Sequence, residues 1–262
     1  MTAFSDREFP HIAPILAGLA ELGHELPREI GAALKAWERL DDELGSARIE
    51  AGAISPGAVA ERSTEAFLAA AQAAKPLPDQ RGELAEAEAE AALRWRTVQI
   101  DALSAAQGLA AGRVAASVSR SSEVIYNLLR ASLAAIMDAV RELAPQVADL
   151  PLANADLVLR LADRAKIGAY QRLSREADRL AVVRELQFQL RRSSGGGSAG
   201  ADFESYERPI PRHSRPENRL EALIWTATTP GIVPCVRTPQ EAVQAEQEAH
   251  EARRRGQVEV AA

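Results

Sequence analysis

Apolar positions between Asp79 and Leu143 recur at helical spacing, and no proline interrupts them. Steps of three, four and seven residues place such positions along one face of a helix. Alanine and other good helix formers fill most of the first half. We therefore predict one long helical arm that starts at Asp79. Its apolar stripe comprises Leu84, Ala91, Trp95, Val98, Ala102, Leu109, Val114, Val118, Ser122, Ile125, Leu129, Ser132, Ile136, Val140 and Leu143.

A corner marked by Pro145 and Pro151 follows the first arm. The residue before a proline is disfavoured in helices, so Ala144 is the predicted end of that arm. A second arm follows, capped by Asn154 or Asp156 and ending at Arg192. Its stripe alternates steps of three and four, which is typical of a coiled-coil seam. The seam positions are Leu159, Ala162, Lys166, Ala169, Leu173, Ala177, Leu180, Val183, Gln187 and Leu190.

Small residues dominate the middle of the first arm. Between Ser104 and Ser122 nearly every residue is Ala, Gly, Ser or Val. Small side chains let helix backbones approach closely, so we expect the tightest contact between helices here, in an alanine-rich core without a catalytic serine. The prediction of one continuous arm leaves open whether it kinks or breaks at Gly108 and Gly112.

Three shorter helices are predicted before the hairpin. The first covers 11–22 and ends at Gly23, and the second runs from Pro27 to Leu44 and is closed by Gly45. The third begins at Ser55 and ends near Ala74, before a proline-rich stop. We expect these helices to fold back on the base of the hairpin.

The region after the hairpin has the composition of a tethered arm. Residues 193–200 read SSGGGSAG, a flexible linker, and an Arg/Pro-rich segment follows up to Arg219. Leu220, Leu223, Ile224 and Trp225 form a hydrophobic island that either packs back as a short helix or docks on a neighbouring protein. Residues 240–255 are predicted as a polar helix with little to pack against.

These elements predict an all-α protein: an elongated helical bundle with a long antiparallel coiled-coil-like hairpin and a flexible C-terminal arm. The predicted segments are 1–78 for the short helices, 79–192 for the hairpin, 193–219 for the linker and 220–262 for the arm.

Composition removes several classes of function. The net charge of −6 argues against a globally basic nucleic-acid binder. The single cysteine, Cys235, excludes an intramolecular disulfide and a cysteine-based zinc cluster. We see neither a signal peptide nor an uncharged apolar run long enough for a membrane span. A cytoplasmic location, or one inside a larger particle, is therefore expected.

Residues able to do chemistry are scattered along the chain. None of the four histidines, His11, His24, His213 and His250, has a partner at strong ligand spacing, and Glu21 beside His24 is a weak pair. The acidic side of the first arm (Glu83, Glu86, Glu90) lacks the Glu-x-x-His pairs of a di-iron bundle. Nucleophile-elbow, phosphate-loop and dinucleotide-binding motifs are also missing. We predict no catalytic, cofactor-binding or metal-binding residue, and no small-molecule ligand.

Two functional hypotheses are favoured over a third, a helical enzyme that assembles its site from distant residues and that no motif supports. The first is a non-enzymatic structural or interaction protein that self-associates or binds protein partners through its long helices, as a component of a larger assembly such as a scaffold or virion-type particle. The second is a nucleic-acid-associated module. It would use the Arg/Pro segment and the basic second arm. Residues 160–192 of that arm include nine Arg or Lys but only four Asp or Glu.

Overall fold

The computed structural model describes residues 12–53, 81–161, 163–193, 205–207 and 215–260. Within these ranges the chain forms eight helices and a single isolated β-bridge, and the predicted all-α bundle is confirmed. The helices are α1 (Ala13–Glu21), α2 (Arg28–Ala53), α3 (Arg81–Arg120), α4 (Ser122–Val147), α5 (Ala155–Leu161), α6 (Arg164–Ser193), α7 (Arg219–Thr228) and α8 (Pro239–Val260).

The chain divides into two compact units. The first unit combines Met1–Pro27 with Val118–Ala262, and the second unit is Arg28–Ser117. This grouping differs from the predicted segments 1–78 and 79–192, because the boundary falls inside α3. The two units are described separately.

An antiparallel pair of helices, α4 and α6, forms the centre of the first unit. The end of α4 lies beside the start of α6, where Lys166 binds Asp149. Helix α1 packs on α6, and α7 packs on both helices of the pair. The predicted stripes supply the core. Its fully buried members include Ile125, Leu129, Ile136, Val140, Ala169, Leu173 and Val183.

The predicted single arm is wrong, because it is interrupted at Ser121. The backbone ψ of Ser121 is 6°, far from the helical value of about −42°. Gly108 and Gly112 lie inside the continuous helix α3. The predicted end at Ala144 is also wrong, because α4 continues through Pro145 to Val147. The side chain of Val147 is fully buried, and this packing stabilises the last turn despite the proline.

The second arm is divided into α5 and α6. The side chain of Asn154 accepts a hydrogen bond from the Leu157 N–H at 3.0 Å, as one of the two predicted caps. Asp163 accepts from the Lys166 N–H at 2.9 Å and begins a new helix. Leu159, a predicted seam residue, is 51% exposed, whereas its α5 neighbour Val158 is fully buried.

The N-terminal helices follow the prediction in part. Helix α1 ends at a left-handed Gly23, whose φ is +80°, as expected for a glycine that stops a helix. The predicted stop at Gly45 is wrong, because α2 continues through it to Ala53 with Ala47 buried. The predicted third helix lies outside the described residues.

In the second unit, side-chain contacts join α2 to α3. Gln107 donates a hydrogen bond to the Asp41 carboxylate at 2.7 Å, and Arg96 forms an ion pair with Glu50. Apolar residues of α2 are buried, among them Ile30, Trp37 and Leu44. These contacts leave another face of α3 exposed.

The closest approach recorded at a glycine in the described structure is at Gly18 of α1. A β-carbon added to Gly18 would lie 2.7 Å from Cδ2 and 2.9 Å from Cγ of Leu186 on α6. Leu186 is 1% exposed, so neighbouring side chains restrict its movement. The absence of a side chain at Gly18 is what lets α1 reach α6.

We expect Gly18→Ala to destabilise the first unit by about 1–3 kcal/mol, because overpacking forces side chains or backbone to shift. The measurement is the urea dependence of alkylation at Cys235, the single thiol of the chain, which belongs to this unit. Gly168→Ala on α6 is the matched control, since its added β-carbon meets nothing within 4 Å, and it should stabilise by roughly 0.5–1 kcal/mol. Equal effects of the two substitutions would contradict the described packing of α1.

Candidate functional site

A continuous apolar stripe on α3 faces solvent. Its large members, Trp95, Val98 and Leu109, are 68%, 59% and 72% exposed. Small exposed residues occupy the intervening positions, and steps of four and three alternate throughout. The set, here called the α3 stripe, is Ala91, Trp95, Val98, Ala102, Ala105, Leu109, Gly112 and Ala116. All eight lie in the second unit.

The spacing explains why this exposure was not predicted. The predicted stripe of the first arm passes from Leu109 to Val114, a step of five residues. Such a step turns about 140° around a helix at 3.6 residues per turn. Val114 and Ala110 are buried, whereas Leu109 is exposed, so the predicted single stripe is two stripes on different faces.

Gly108 and Gly112 do not take part in the tight contact predicted between 104 and 122. A β-carbon added to Gly108 or Gly112 meets nothing within 4 Å. Other small residues of this stretch, Ala110, Ser117 and Ser121, are buried, whereas Ala105 and Ala116 are exposed. The exposed small residues project little from the surface of α3, so Trp95 and Leu109 stand out from this face.

A second feature, in the first unit, is a set of arginines that bind backbone carbonyls. Arg184 of α6 donates to the carbonyls of Cys235 at 2.7 Å and Ser205 at 3.0 Å. Arg130 of α4 donates from Nε to the carbonyl of Val236 at 3.0 Å. Arg237 reaches back to the carbonyls of Tyr206 at 3.1 Å and Glu207 at 3.3 Å.

These bonds hold an extended C-terminal segment, residues 233–238, against α4 and α6. The segment also pairs with residues 205–207, through Cys235 N–H to Ser205 at 2.9 Å and Glu207 N–H to Val233 at 2.9 Å. Gln187, a predicted polar seam position, is 4% exposed and donates to the carbonyl of Arg237 at 3.3 Å. The polar residue in the seam thus anchors this segment.

The start of α8 is fixed at the same place. Thr238 and Glu241 cap the helix reciprocally, with N–H to side-chain distances of 2.7 Å and 3.2 Å. Burial alone would raise the pKa of Glu241. Hydrogen bonds from Thr238 and the charge of Arg130 outweigh burial, so the pKa lies below its ordinary value. Glu241 is therefore ionised at neutral pH and binds Arg130 at 2.5 Å.

Within the described part of the C-terminal arm, α7 and residues 233–238 pack against α4 and α6. Helix α7 buries Leu220 and Leu223 from the predicted hydrophobic island, which packs back on α4 and α6. Arg141 of α4 donates to the carbonyl of Ala227 at 3.0 Å. Most of the predicted linker 193–200 lies outside the described residues.

A groove of about 510 Å³ lies between α4, α6 and the start of α8. Its lining includes Tyr126, Arg130, Thr238 and Glu241. The charged pair in this groove is already joined, and Thr238 is engaged in the cap. The polar groups of this groove bind one another where α8 begins. They do not point together towards a position that a ligand could occupy.

In the ranges that the structure describes, the histidines and acidic residues singled out by the sequence lie apart. The imidazole Nε2 of His24 lies 2.6 Å from the hydroxyl of Ser132, a pairing inside the helix bundle. Glu90 is exposed and pairs with Arg94. His11 and His213 lie outside the described residues, as do the side chains of Glu83 and Glu86. In the described ranges, no three His, Cys, Asp or Glu residues gather where a metal ion would bind.

Cys235 is half-buried in the C-terminal segment. Burial raises the pKa of its thiol, and the charges of Arg237 and Arg184 oppose that shift only in part. A thiol with a raised pKa is a weak nucleophile at neutral pH. The environment of Cys235 is that of a structural residue.

The chain matches no family model, no curated protein and no solved structure. None of the helices in the described ranges combines the length and apolar character that a membrane span requires. The α3 stripe and the C-terminal segment, residues 233–238, are therefore the features that bear on function.

Proposed function

We propose that this chain is a non-enzymatic assembly protein that joins other polypeptide chains through the α3 stripe. The observation that carries the proposal is the exposure of Trp95, Val98 and Leu109 on one helical face. Isolated apolar residues are ordinary on protein surfaces, but a contiguous apolar patch is typical of an interaction surface. Helical faces with a 3.5-residue period bind other helices by interdigitating their side chains.

Tryptophan at the centre of an exposed stripe strengthens this interpretation. Trp is among the residues that contribute most to binding energy at protein interfaces. Helix α3 has 40 residues and spans about 60 Å at 1.5 Å per residue, so it offers a long and rigid element for assembly.

The test removes the large members of the stripe. We expect the chain to form a species heavier than one copy, measured by light scattering over about a hundredfold range of concentration. Trp95→Ser combined with Leu109→Ser should weaken that association by at least roughly a hundredfold, as expected for two central residues. A matched variant, Ile49→Ser with Val233→Ser, removes other exposed apolar side chains (76% and 44% exposed) and should leave the mass unchanged. A single-copy mass for the wild type at every concentration would contradict self-association.

The alternative, a nucleic-acid-associated module, is not favoured. Several basic residues of α6 are engaged within the chain: Lys166 with Asp149, Arg179 with Glu176, and Arg184 with two carbonyls. An arginine that holds backbone carbonyls is not available to bind phosphate. The assembly role therefore accounts for more of the described surface.

A further inference from the structure

We propose that the occupant of the α3 stripe is the α3 stripe of a second copy of this chain, with the two helices antiparallel about a midpoint between Leu103 and Ser104. This inference rests on the proposed function and specifies its partner and geometry. Three properties of α3 support it: the sizes of the stripe residues, the polar residues at its two ends, and its charge distribution.

The sizes of the stripe residues are complementary about that midpoint. Antiparallel pairing places Trp95 opposite Gly112 and Val98 opposite Leu109, while Ala102 faces Ala105 and Ala91 faces Ala116. The largest side chain thus meets the residue without one. The space above Gly112 is open, since an added β-carbon there touches nothing within 4 Å. Alternation of large and small residues is what close packing between helices requires.

A parallel pairing in register lacks this complementarity. It would place Trp95 against Trp95 and Gly112 against Gly112. One layer would then be overfilled and another left with a gap, and both arrangements cost stability. The antiparallel arrangement avoids both faults, because each tryptophan lies opposite a glycine.

Polar residues end the stripe at symmetrical positions. One step before Ala91 the seam position is Glu88, and one step after Ala116 it is Ser119; both are exposed. These two residues lie at equal distances from the midpoint between Leu103 and Ser104. The apolar seam is therefore bounded at both ends in the same register, over about 38 Å of helix between 91 and 116.

The distribution of glutamates along α3 also favours the antiparallel orientation. Residues 83–90 contain four glutamates, whereas residues 102–120 contain Arg113 and Arg120 and no acidic residue. Antiparallel pairing in this register places Glu88 of one helix across from the uncharged Ser119 of the other, and Arg113 lies across from Arg94. A parallel pair would align glutamates with glutamates, and like charges at that spacing are destabilising.

Cysteine pairs distinguish the two orientations in the full-length chain. In a Cys235→Ser background, Ala91→Cys and Ala116→Cys proteins are oxidised separately and as a mixture, and disulfide-linked dimers are measured on non-reducing gels. We expect linked dimers only in the mixture, because position 91 of one copy lies beside position 116 of the other. The two copies of position 91 are about 38 Å apart in this arrangement. Linked dimers of the Ala91→Cys protein alone would overturn the antiparallel orientation.

The outcomes separate this inference from the proposed function. If sedimentation finds dimers that depend on Trp95 and Leu109, but the mixture forms no disulfide, the register is wrong and the assembly role stands. If the wild type stays monomeric, both self-association and this inference fail.

A size exchange provides a second test of the register. Gly112→Trp should weaken dimerisation by at least roughly tenfold, because two tryptophans would meet in one layer. In the double variant with Trp95→Gly, the two layers formed by positions 95 and 112 again contain one large and one small residue each. The affinity should then return towards the wild-type value. Thr97→Trp is the control, since Thr97 is exposed on α3 away from the stripe. Failure of the exchange to restore affinity would contradict the pairing of Trp95 with Gly112.

Discussion

Replacing Leu173 with alanine is expected to lower the free energy of unfolding of the first unit by about 2–5 kcal/mol. Leu173 lies on α6, between the helices that pack on it, and its side chain is fully buried. Truncation removes apolar contacts and leaves a cavity that the surrounding helices fill only in part. The effect should be among the largest of any single substitution in this unit.

The same substitution at Leu159 is the matched control. Leu159 is 51% exposed on α5, and its truncation should change stability by less than about 0.5 kcal/mol. Alkylation of Cys235 at increasing urea measures opening of the first unit alone, because that unit contains the only cysteine. Similar urea midpoints for the two alanine variants would exclude the buried position assigned to Leu173.

Replacing Arg184 with alanine is expected to release the C-terminal segment, at a cost of about 2–4 kcal/mol. This is less than the sum of its hydrogen bonds, at roughly 1.5–3 kcal/mol each for a charged donor, because water solvates the freed carbonyls. The substitution removes the donors for the carbonyls of Cys235 and Ser205 and also the bond to the Gln187 side chain. Release should expose the Cys235 thiol and lower its pKa towards the ordinary value, and both changes increase its rate of alkylation in native buffer.

Two further substitutions test whether the guanidinium of Arg184 is what holds the C-terminal segment. Arg184→Lys keeps the charge but lacks the planar fork that binds two acceptors, so its alkylation rate should fall between those of the wild type and the alanine variant. Arg172→Ala, at an exposed position of the same helix, should alkylate at the wild-type rate. An alanine variant at position 184 that alkylates no faster than the wild type would show that this arginine does not hold the segment.

The sequence predicts the helical content and the core of the first unit well. The 3.6-residue pattern of α4 identifies residues that prove fully buried, such as Ile125, Leu129 and Ile136. Local stop signals are less dependable, because tertiary packing decides whether a helix continues. Helix α2 passes Gly45 and α4 passes Pro145, in each case with a buried apolar residue, Ala47 or Val147, beyond the predicted stop.

Two aspects of the candidate sites were not accessible from the pattern alone. The stripe on α3 is visible in the sequence, but periodicity does not distinguish a face buried within the chain from one left for a partner. The step of five from Leu109 to Val114 was the signal that two faces are involved. The arginine–carbonyl bonds give no sequence signal, because the acceptors are backbone atoms that every residue carries.

The arginines that hold the C-terminal segment recognise main-chain oxygens and not particular side chains. Ser205, Cys235 and Val236 each contribute a carbonyl, so substitutions that preserve the extended backbone keep these contacts. The acceptors are also uncharged, which makes the attachment less sensitive to ionic strength than pairing between surface charges would be. Evolution is thus free to change the outward side chains of this segment while its path across α4 and α6 stays the same.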